Sequence, residues 1–421
     1  MKLFIKIVCF ISIVSCCKDE KGENISISNN RGEITFLPYL WRIDLHKNNQ
    51  INNAPFIQGN TVFGQNVMIM TTESNEKRFL TLLDSKNGSK LWDWSDFYQP
   101  LTEGADLSSF LSIENKLHWI TGSRHYWIDI LNGTTSNKKR RSTSFKGAIT
   151  NLGKKYYTLG QPTDTLENFQ TSVVYEGDFD SGNLKRVLVP NFNGNQIENR
   201  LGEATSVIPL IRNFDTLLLT AYQDIFPNYE FVSYLGLYNL TKKKWIYDKV
   251  ALNEKSQKGV LYQPMEISGE KVVITVGNDI LCFNYLNGEK LWQRSFLSDF
   301  SFSGFEISNG FIIANCEDSK IYGIDLNNGS IIWTSSGSGT SSNLKNRILN
   351  GYVYFSGGGP NNIFAINIQT GKTHWKLDPL LYEKNDGYWK GDILVVPGIG
   401  NEKPKVIVCS NKYAYCFEAL H

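Results

Sequence analysis

The chain has no excess of either charge sign. Its 421 residues carry 43 Lys and Arg against 41 Asp and Glu, a formal +2 at pH 7. Lys2 and Lys6 account for that surplus, so residues 16–421 are neutral. A nucleic-acid binder needs a basic face, and the one basic cluster, Lys138-Lys139-Arg140-Arg141, reads as a solvated loop. Long apolar runs are also missing. Residues 1–15 hold the only extended one, and it is shorter than the ~20 residues a membrane-spanning helix needs. There is no Cys-x-x-Cys-His haem site, no His-Glu-x-x-His zinc site and no Gly-x-Ser-x-Gly nucleophile turn. The five His residues (His46, His118, His125, His374, His421) are scattered. His118 and His125, in an aromatic-rich stretch that includes Trp119 and Trp127, read as structural strand residues, with a metal pair as the alternative.

What the chain does have is aromatic residues at 13%, 35 Gly and 41% apolar residues, enough for a packed core of short strands and tight turns. It also repeats. Asp84…Gly88…Trp92, Asn284…Gly288…Trp292, Asp325…Gly329…Trp333 and Asn367…Gly371…Trp375 share the spacing [Asp/Asn]-x3-Gly-x3-Trp, each after an alternating apolar strand. The Asp or Asn caps a turn, the Gly supplies a positive φ, and the next strand carries the Trp inward. Successive Trp residues lie 41 and 42 residues apart from Trp292 to Trp375. Trp245 ends a degenerate copy, and Asp129…Gly133 and Asp178…Gly182 are copies without a Trp. One hairpin cannot bury its own face, so such units stack radially. The C-terminal strands stop before their Gly and Trp, and Tyr39-Leu-Trp41 supplies the missing piece. Outer strands are therefore expected near 41, 92, 137, 186, 245, 292, 333 and 375, giving eight blades, or seven if a weak copy is misread.

These repeats resemble those of the pyrroloquinoline-quinone (PQQ) propeller family. The resemblance implies an all-β, eight-bladed propeller of four-stranded antiparallel blades over residues 35–421, closed by pairing of the N-terminal strand with the last blade. Residues 1–15 read as a signal peptide, with Lys2 and Lys6 before an apolar core. Ile13-Val14-Ser15-Cys16 resembles the bacterial lipobox, which implies lipidation of Cys16 and a lipoprotein. Cys17-Lys18-Asp19-Glu20 resembles the surface-export signal of Bacteroidetes lipoproteins, and polar residues 16–34 read as a flexible tether. Cys282, Cys316, Cys409 and Cys416 fall at repeat-equivalent positions and are expected to be small buried residues, not disulfides.

Quinoprotein dehydrogenases of this fold are similar to one another in an adjacent Cys pair and a Ca²⁺ site. Here the only adjacent pair is Cys16-Cys17, outside the propeller. The expectation is therefore no PQQ, calcium or other metal, and no catalytic residue. The plan resembles the BamB-type lipoproteins of outer-membrane barrel assembly. That implies a non-catalytic scaffold, anchored by lipid at the outer membrane on its periplasmic or surface side, with a protein or peptide partner. A diverged PQQ-dependent dehydrogenase or other propeller enzyme, such as a hydrolase using the central funnel, and a surface glycan-binding lipoprotein, using Trp119 or Trp127, are the alternatives.

Overall fold

The computed structural model of the chain describes residues 26–29, 32–45, 62–63, 65–72, 78–98, 110–141, 143–162, 172–193, 202–257, 265–298, 304–336, 347–357, 362–383, 387–410 and 412–421. The signal segment, Cys16 and Cys17 lie outside them. Within the segment expected to be a tether, Ser26–Asn29 and Gly32–Thr35 pair as a hairpin.

Eight four-stranded antiparallel sheets form the blades of a propeller. Blade 1 runs from Val62–Phe63 to Lys90–Trp94, blade 2 from Phe110–Ile113 to Thr135–Arg140, and blade 3 from Thr143–Leu152 to Leu184–Leu188. Blade 4 comprises Gly202–Arg212, Asp215–Phe226, Glu230–Asn239 and Lys244–Ala251. Blades 5, 6 and 7 run from Glu266–Ser268 to Glu289–Ser295, from Phe305–Ser308 to Ile331–Ser336, and from Arg347–Leu349 to Thr373–Leu377. Blade 8 takes three strands from the C-terminal region, Lys390–Val396, Lys405–Cys409 and Tyr413–Glu418, and its outer strand, Tyr39–Asp44, from the N-terminal region. Trp41 pairs with Cys416, so the chain's two ends close one blade, as expected from the incomplete last copy. Closure leaves no blade with an open face.

The core is distributed between the blades. Eight buried clusters occur, one at each blade-to-blade interface. The inner strands are short and apolar on both faces, as in Lys271–Val276 and Phe311–Cys316, because each is sandwiched between two neighbouring sheets. Cys282, Cys316, Cys409 and Cys416 are buried free thiols in these strands. Burial pushes the Cys416 thiol up to about 12.

The repeated turn has two jobs. Gly88, Gly133, Gly182, Gly288, Gly329 and Gly371 all hold φ between +62° and +76°, the left-handed region the turn requires. Each also lies under an aromatic residue of the preceding blade. The Trp41 Nε1 donates to Ser85 O (2.8 Å), Trp92 to Ile130 O (2.7 Å), Trp292 to Leu326 O (3.0 Å) and Trp333 to Ile368 O (2.8 Å). In every case the acceptor is the residue after the turn's Asp or Asn. A Cβ on Gly88 would sit 2.6 Å from the Trp41 ring, so only glycine lets the indole approach.

Two interfaces solve the same problem differently. Between blades 2 and 3, Asn137 stands in the outer-strand slot, and Trp127 from the third strand donates to Phe179 O at 2.6 Å. Between blades 4 and 5, Trp245 does not make the contact. The turn begins at Asn239, Lys243 (φ +52°) takes the glycine position, and Tyr247 takes the Trp position. The Tyr247 hydroxyl donates to Tyr285 O at 2.7 Å. Trp245 pairs with Tyr238 across a bulge that turns it to the other face, where it packs on Gly236 and Tyr222. The repeat copy therefore lies two residues later than Trp245 alone implies.

This geometry separates two kinds of glycine. Gly88→Ala meets both the φ penalty and the Trp41 ring, whereas Gly310→Ala (φ +81°) meets open space. Urea unfolding should show Gly88→Ala costing about 3 kcal/mol and Gly310→Ala about 1 kcal/mol. Equal losses would remove the second job from the turn.

Candidate functional site

Strands alternate in direction within each blade, so connections fall on two distinct faces. The 1–2 and 3–4 connections emerge on one face. All but the 397–404 loop of blade 8 are tight turns. The 2–3 connections and the blade-to-blade crossings emerge on the other. Described residues at this face include 95–98, 189–193, 252–257, 296–298, 378–383 and 387–389. The molecule thus has a turn face and a loop face, and binding surfaces on rigid repeat scaffolds are built from such loops.

Blade 4 stands out on the loop face. Its second strand, Asp215–Phe226, is the longest among the described residues, and it turns at Pro227–Tyr229 into Glu230–Asn239. Residues 223–231 are mostly strand because cross-strand pairing runs without a break from Leu217↔Asn239 to Phe226↔Glu230. Its acids are held in place. The Gln223 Nε2 donates to Glu203 Oε1 at 2.8 Å, and the Asn193 backbone donates to Asp224 Oδ1 at 2.7 Å. Tyr222 donates to Asp248, which also accepts from Asn191 Nδ2 at 2.9 Å. These bonds fasten the crossing from blade 3 to the flank of blade 4.

Polar side chains on the innermost strands are used to lace neighbouring blades. Thr150 Oγ1 donates to Val207 O (3.1 Å), Ser206 Oγ accepts from Met265 N (3.3 Å), Glu266 Oε2 accepts from Ile307 N (2.7 Å) and Arg347 Nε donates to Ile393 O (3.2 Å). Glu266 is therefore committed to blade 6 and is not aimed at a shared centre. Among the described residues, no group of three or more His, Cys, Asp or Glu comes together as cation ligands.

The two histidines of the aromatic stretch do come together. His118 and His125 sit on paired strands of blade 2, buried against Phe179 of blade 3, with His118 Nδ1 3.2 Å from His125 Nε2. Arg141 Nη2 lies 2.7 Å from His125 Nδ1 and also donates to Gly182 O at 3.0 Å. A guanidinium can only donate, so His125 Nδ1 must accept and its Nε2 must carry the proton given to His118 Nδ1. Both lone pairs facing the cluster are thereby used, and the pair is a structural relay across the interface. His125 stacks on Trp127 at 3.6 Å. Trp119 and Trp127 are buried, so neither offers a platform for a sugar ring.

The basic cluster is not a solvated loop. Lys138, Lys139 and Arg140 lie on blade 2's outer strand. Lys138 pairs with Asp96 at 2.7 Å, Lys139 reaches Asn183 Oδ1 at 3.1 Å, and Arg141 enters the interface with blade 3. Lys139 and Arg141 clamp the interface with blade 3, where blade 2's outer strand has no Trp, while Lys138 faces the crossing from blade 1. A period-two alternation hidden by four consecutive cations is the signal that sequence reading passes over.

Fold and repeat geometry together define a PQQ-repeat β-propeller. Within it, residues 244–419, which span the outer strand of blade 4, blades 5 to 7 and the C-terminal strands of blade 8, match the family described as "Outer membrane protein assembly factor BamB". Among solved structures, Sqt1 of Saccharomyces cerevisiae is similar at 11% identity, covering 91% of this chain and 99% of that one, with a TM-score of 0.60. Quinohemoprotein alcohol dehydrogenase ADHIIG from Pseudomonas putida HK5 is similar at 9% identity, covering 91% and 76%, with a TM-score of 0.58. BamB from Moraxella catarrhalis is similar at 14% identity, covering 82% and 93%, with a TM-score of 0.46. At these identities the likenesses show the fold alone. No curated protein matches the sequence.

The histidine relay carries a pH dependence. Burial, with Arg141, Lys139 and Lys116 outweighing Asp180, lowers His118 to about 4 and His125 well below its usual value. Both are neutral when folded, so unfolding below pH ~6.5 takes up protons. Stability from this pair should be complete above that pH and fall as pH drops from ~6.5 toward 4, by about 2 kcal/mol. Urea midpoints measured across this range should flatten in the His118→Gln/His125→Gln variant. An unchanged slope would show that the pair titrates freely.

Proposed function

We propose that this chain is a lipid-anchored, non-catalytic binding propeller that serves outer-membrane protein assembly. The match of residues 244–419 to the assembly-factor family carries the reading. Three features support it. Ile13-Val14-Ser15-Cys16 has the residues for acylation at Cys16, and one diacylglyceryl group plus an acyl chain anchors stably. The loop face offers exposed apolar side chains on a rigid ring, with Leu297 fully exposed and Tyr229, Leu380 and Tyr388 about half exposed. Glu203 and Glu266 are hydrogen-bonded within the scaffold, and the adjacent Cys pair is Cys16-Cys17, outside the blades. The reading therefore involves no quinone and no metal, and a protein segment is the partner class suited to the loop face.

Two measurements on cells test it. Metabolic labelling with an alkyne fatty acid should mark the wild-type chain and not Cys16→Ala, which should also leave the membrane fraction. A photocrosslinking residue replacing Leu297 should capture a subunit of the barrel-assembly machinery, identified by mass spectrometry, while one replacing Leu131 on the turn face should not. Equal capture from both faces would contradict the assignment of the loop face.

A further inference from the structure

Of the blades with both tight turns on the turn face, blade 4 is the one, among the described residues, in which neither turn holds a glycine; in blade 2 the 1–2 turn is Glu114-Asn115 but the 3–4 turn keeps Gly133. In blades 6 and 7 the two-residue 1–2 turn is Asn309-Gly310 and Asn350-Gly351, with both φ values positive. Blade 4 builds the same turn as Asn213-Phe214, with φ of +49° and +66°. A bulky side chain in the left-handed region is strained, and glycine is the residue this turn type prefers. The 3–4 turn repeats the substitution, placing Lys243 at φ +52° where six other blades have glycine.

The two exceptions are neighbours. Thr216 N donates to Thr241 Oγ1 at 2.9 Å, and Lys242 Nζ pairs with Asp215 Oδ2 at 2.6 Å, so the turns touch side by side. Phe214 is fully exposed, Ile211 is 65% exposed, and Arg212, Lys242, Lys243 and Lys244 are all exposed around them. Only Asp215 opposes those four cations within residues 207–216 and 236–247. The replacements are thus an aromatic ring held out into water and a set of cations beside it. Neither improves packing, since no buried group gains a contact, and each keeps backbone strain that glycine would remove. Strain retained at an exposed apolar tip points to an external surface.

We propose that this tip is a membrane-docking element: Phe214 and Ile211 enter the interfacial layer of a bilayer while Arg212, Lys243 and Lys244 contact anionic headgroups. Aromatic and aliphatic side chains flanked by cations are the composition that interfacial binding uses, and each cation near an anionic surface adds attraction. Blade 4 lies across the ring from blade 8, which receives the N-terminal strand, so a bilayer that takes up the tip meets the turn face. The loop face then points away from the lipid. This orientation rests on the lipid-anchored reading, but the tip's affinity for lipid does not.

The test uses the full chain with a nitroxide on Phe214→Cys in a Cys17→Ser background. Cys282, Cys316, Cys409 and Cys416 are buried and do not compete for the label. A second chain carries the label at Leu381→Cys on the loop face. Each is added to vesicles of phosphatidylethanolamine with phosphatidylglycerol, or of phosphatidylcholine alone, and acyl content is read by mass spectrometry on the same sample. The 214 label should become accessible to oxygen and shielded from an aqueous nickel chelate on the anionic vesicles, while the 381 label stays aqueous. Arg212→Glu/Lys244→Glu should reverse the shift. In a Cys16→Ala chain, which lacks the anchor, Phe214→Gly should raise Tm and lower partitioning to anionic vesicles about tenfold. A 214 label equally open to nickel with and without anionic vesicles would overturn the proposal. Missing acyl chains with a shielded 214 label would uphold the tip and reject the anchor. Retained partitioning in Phe214→Gly would also overturn it, because the surface would then be a general cationic one or a protein contact.

Discussion

An aromatic side chain laid on a glycine, donating to the carbonyl just past the turn's Asp or Asn, joins six of the eight neighbouring pairs of blades among the described residues. The contact needs three things at once: a positive φ, no Cβ, and an aromatic donor from the preceding blade. That conjunction explains why one short motif recurs, with its Asp or Asn 41 to 61 residues apart. No blade buries its own face. The eight clusters lie between blades, so each hairpin is stable only because its neighbours are present. Trp41 has a special position in that scheme. It lies at the chain's other end from its blade and completes the contact to Ser85 that joins blade 8 to blade 1.

Much of this is legible in the amino-acid order. The Asp-x3-Gly spacing marks turns even without a Trp, which is why Asp129…Gly133 and Asp178…Gly182 locate blades 2 and 3 correctly. The unfinished last copy and Trp41 together give the closure. Trp245 misleads because it is the only Trp in its copy, while the residue doing the work is a tyrosine and the glycine position holds a lysine. Tyrosine can replace tryptophan there because the contact requires only an aromatic face and one donor. Lys138 to Arg141 read as solvated because four adjacent cations hide the strand's alternation.

The site is less legible than the fold. Faces of a ring are set by strand direction, so a loop's side is known only once every strand is placed. The His118–His125–Arg141 relay joins residues from two blade 2 strands and the crossing after them, and its tautomers follow only from the guanidinium's position. Phe214 carries no motif. It stands out only when its backbone is compared with that of Gly310 and Gly351 in equivalent turns.

The account stands or falls on ring closure by the N-terminal strand. Asp44 pairs with Tyr413 across that junction. In an Asp44→Cys/Tyr413→Cys chain, mild oxidation should form a disulfide between these two positions, identified by peptide mapping. It should raise Tm by holding blade 8 together. Failure of the pair to form under conditions that preserve the native fold, or formation without any gain in Tm, would contradict closure by the N-terminal strand.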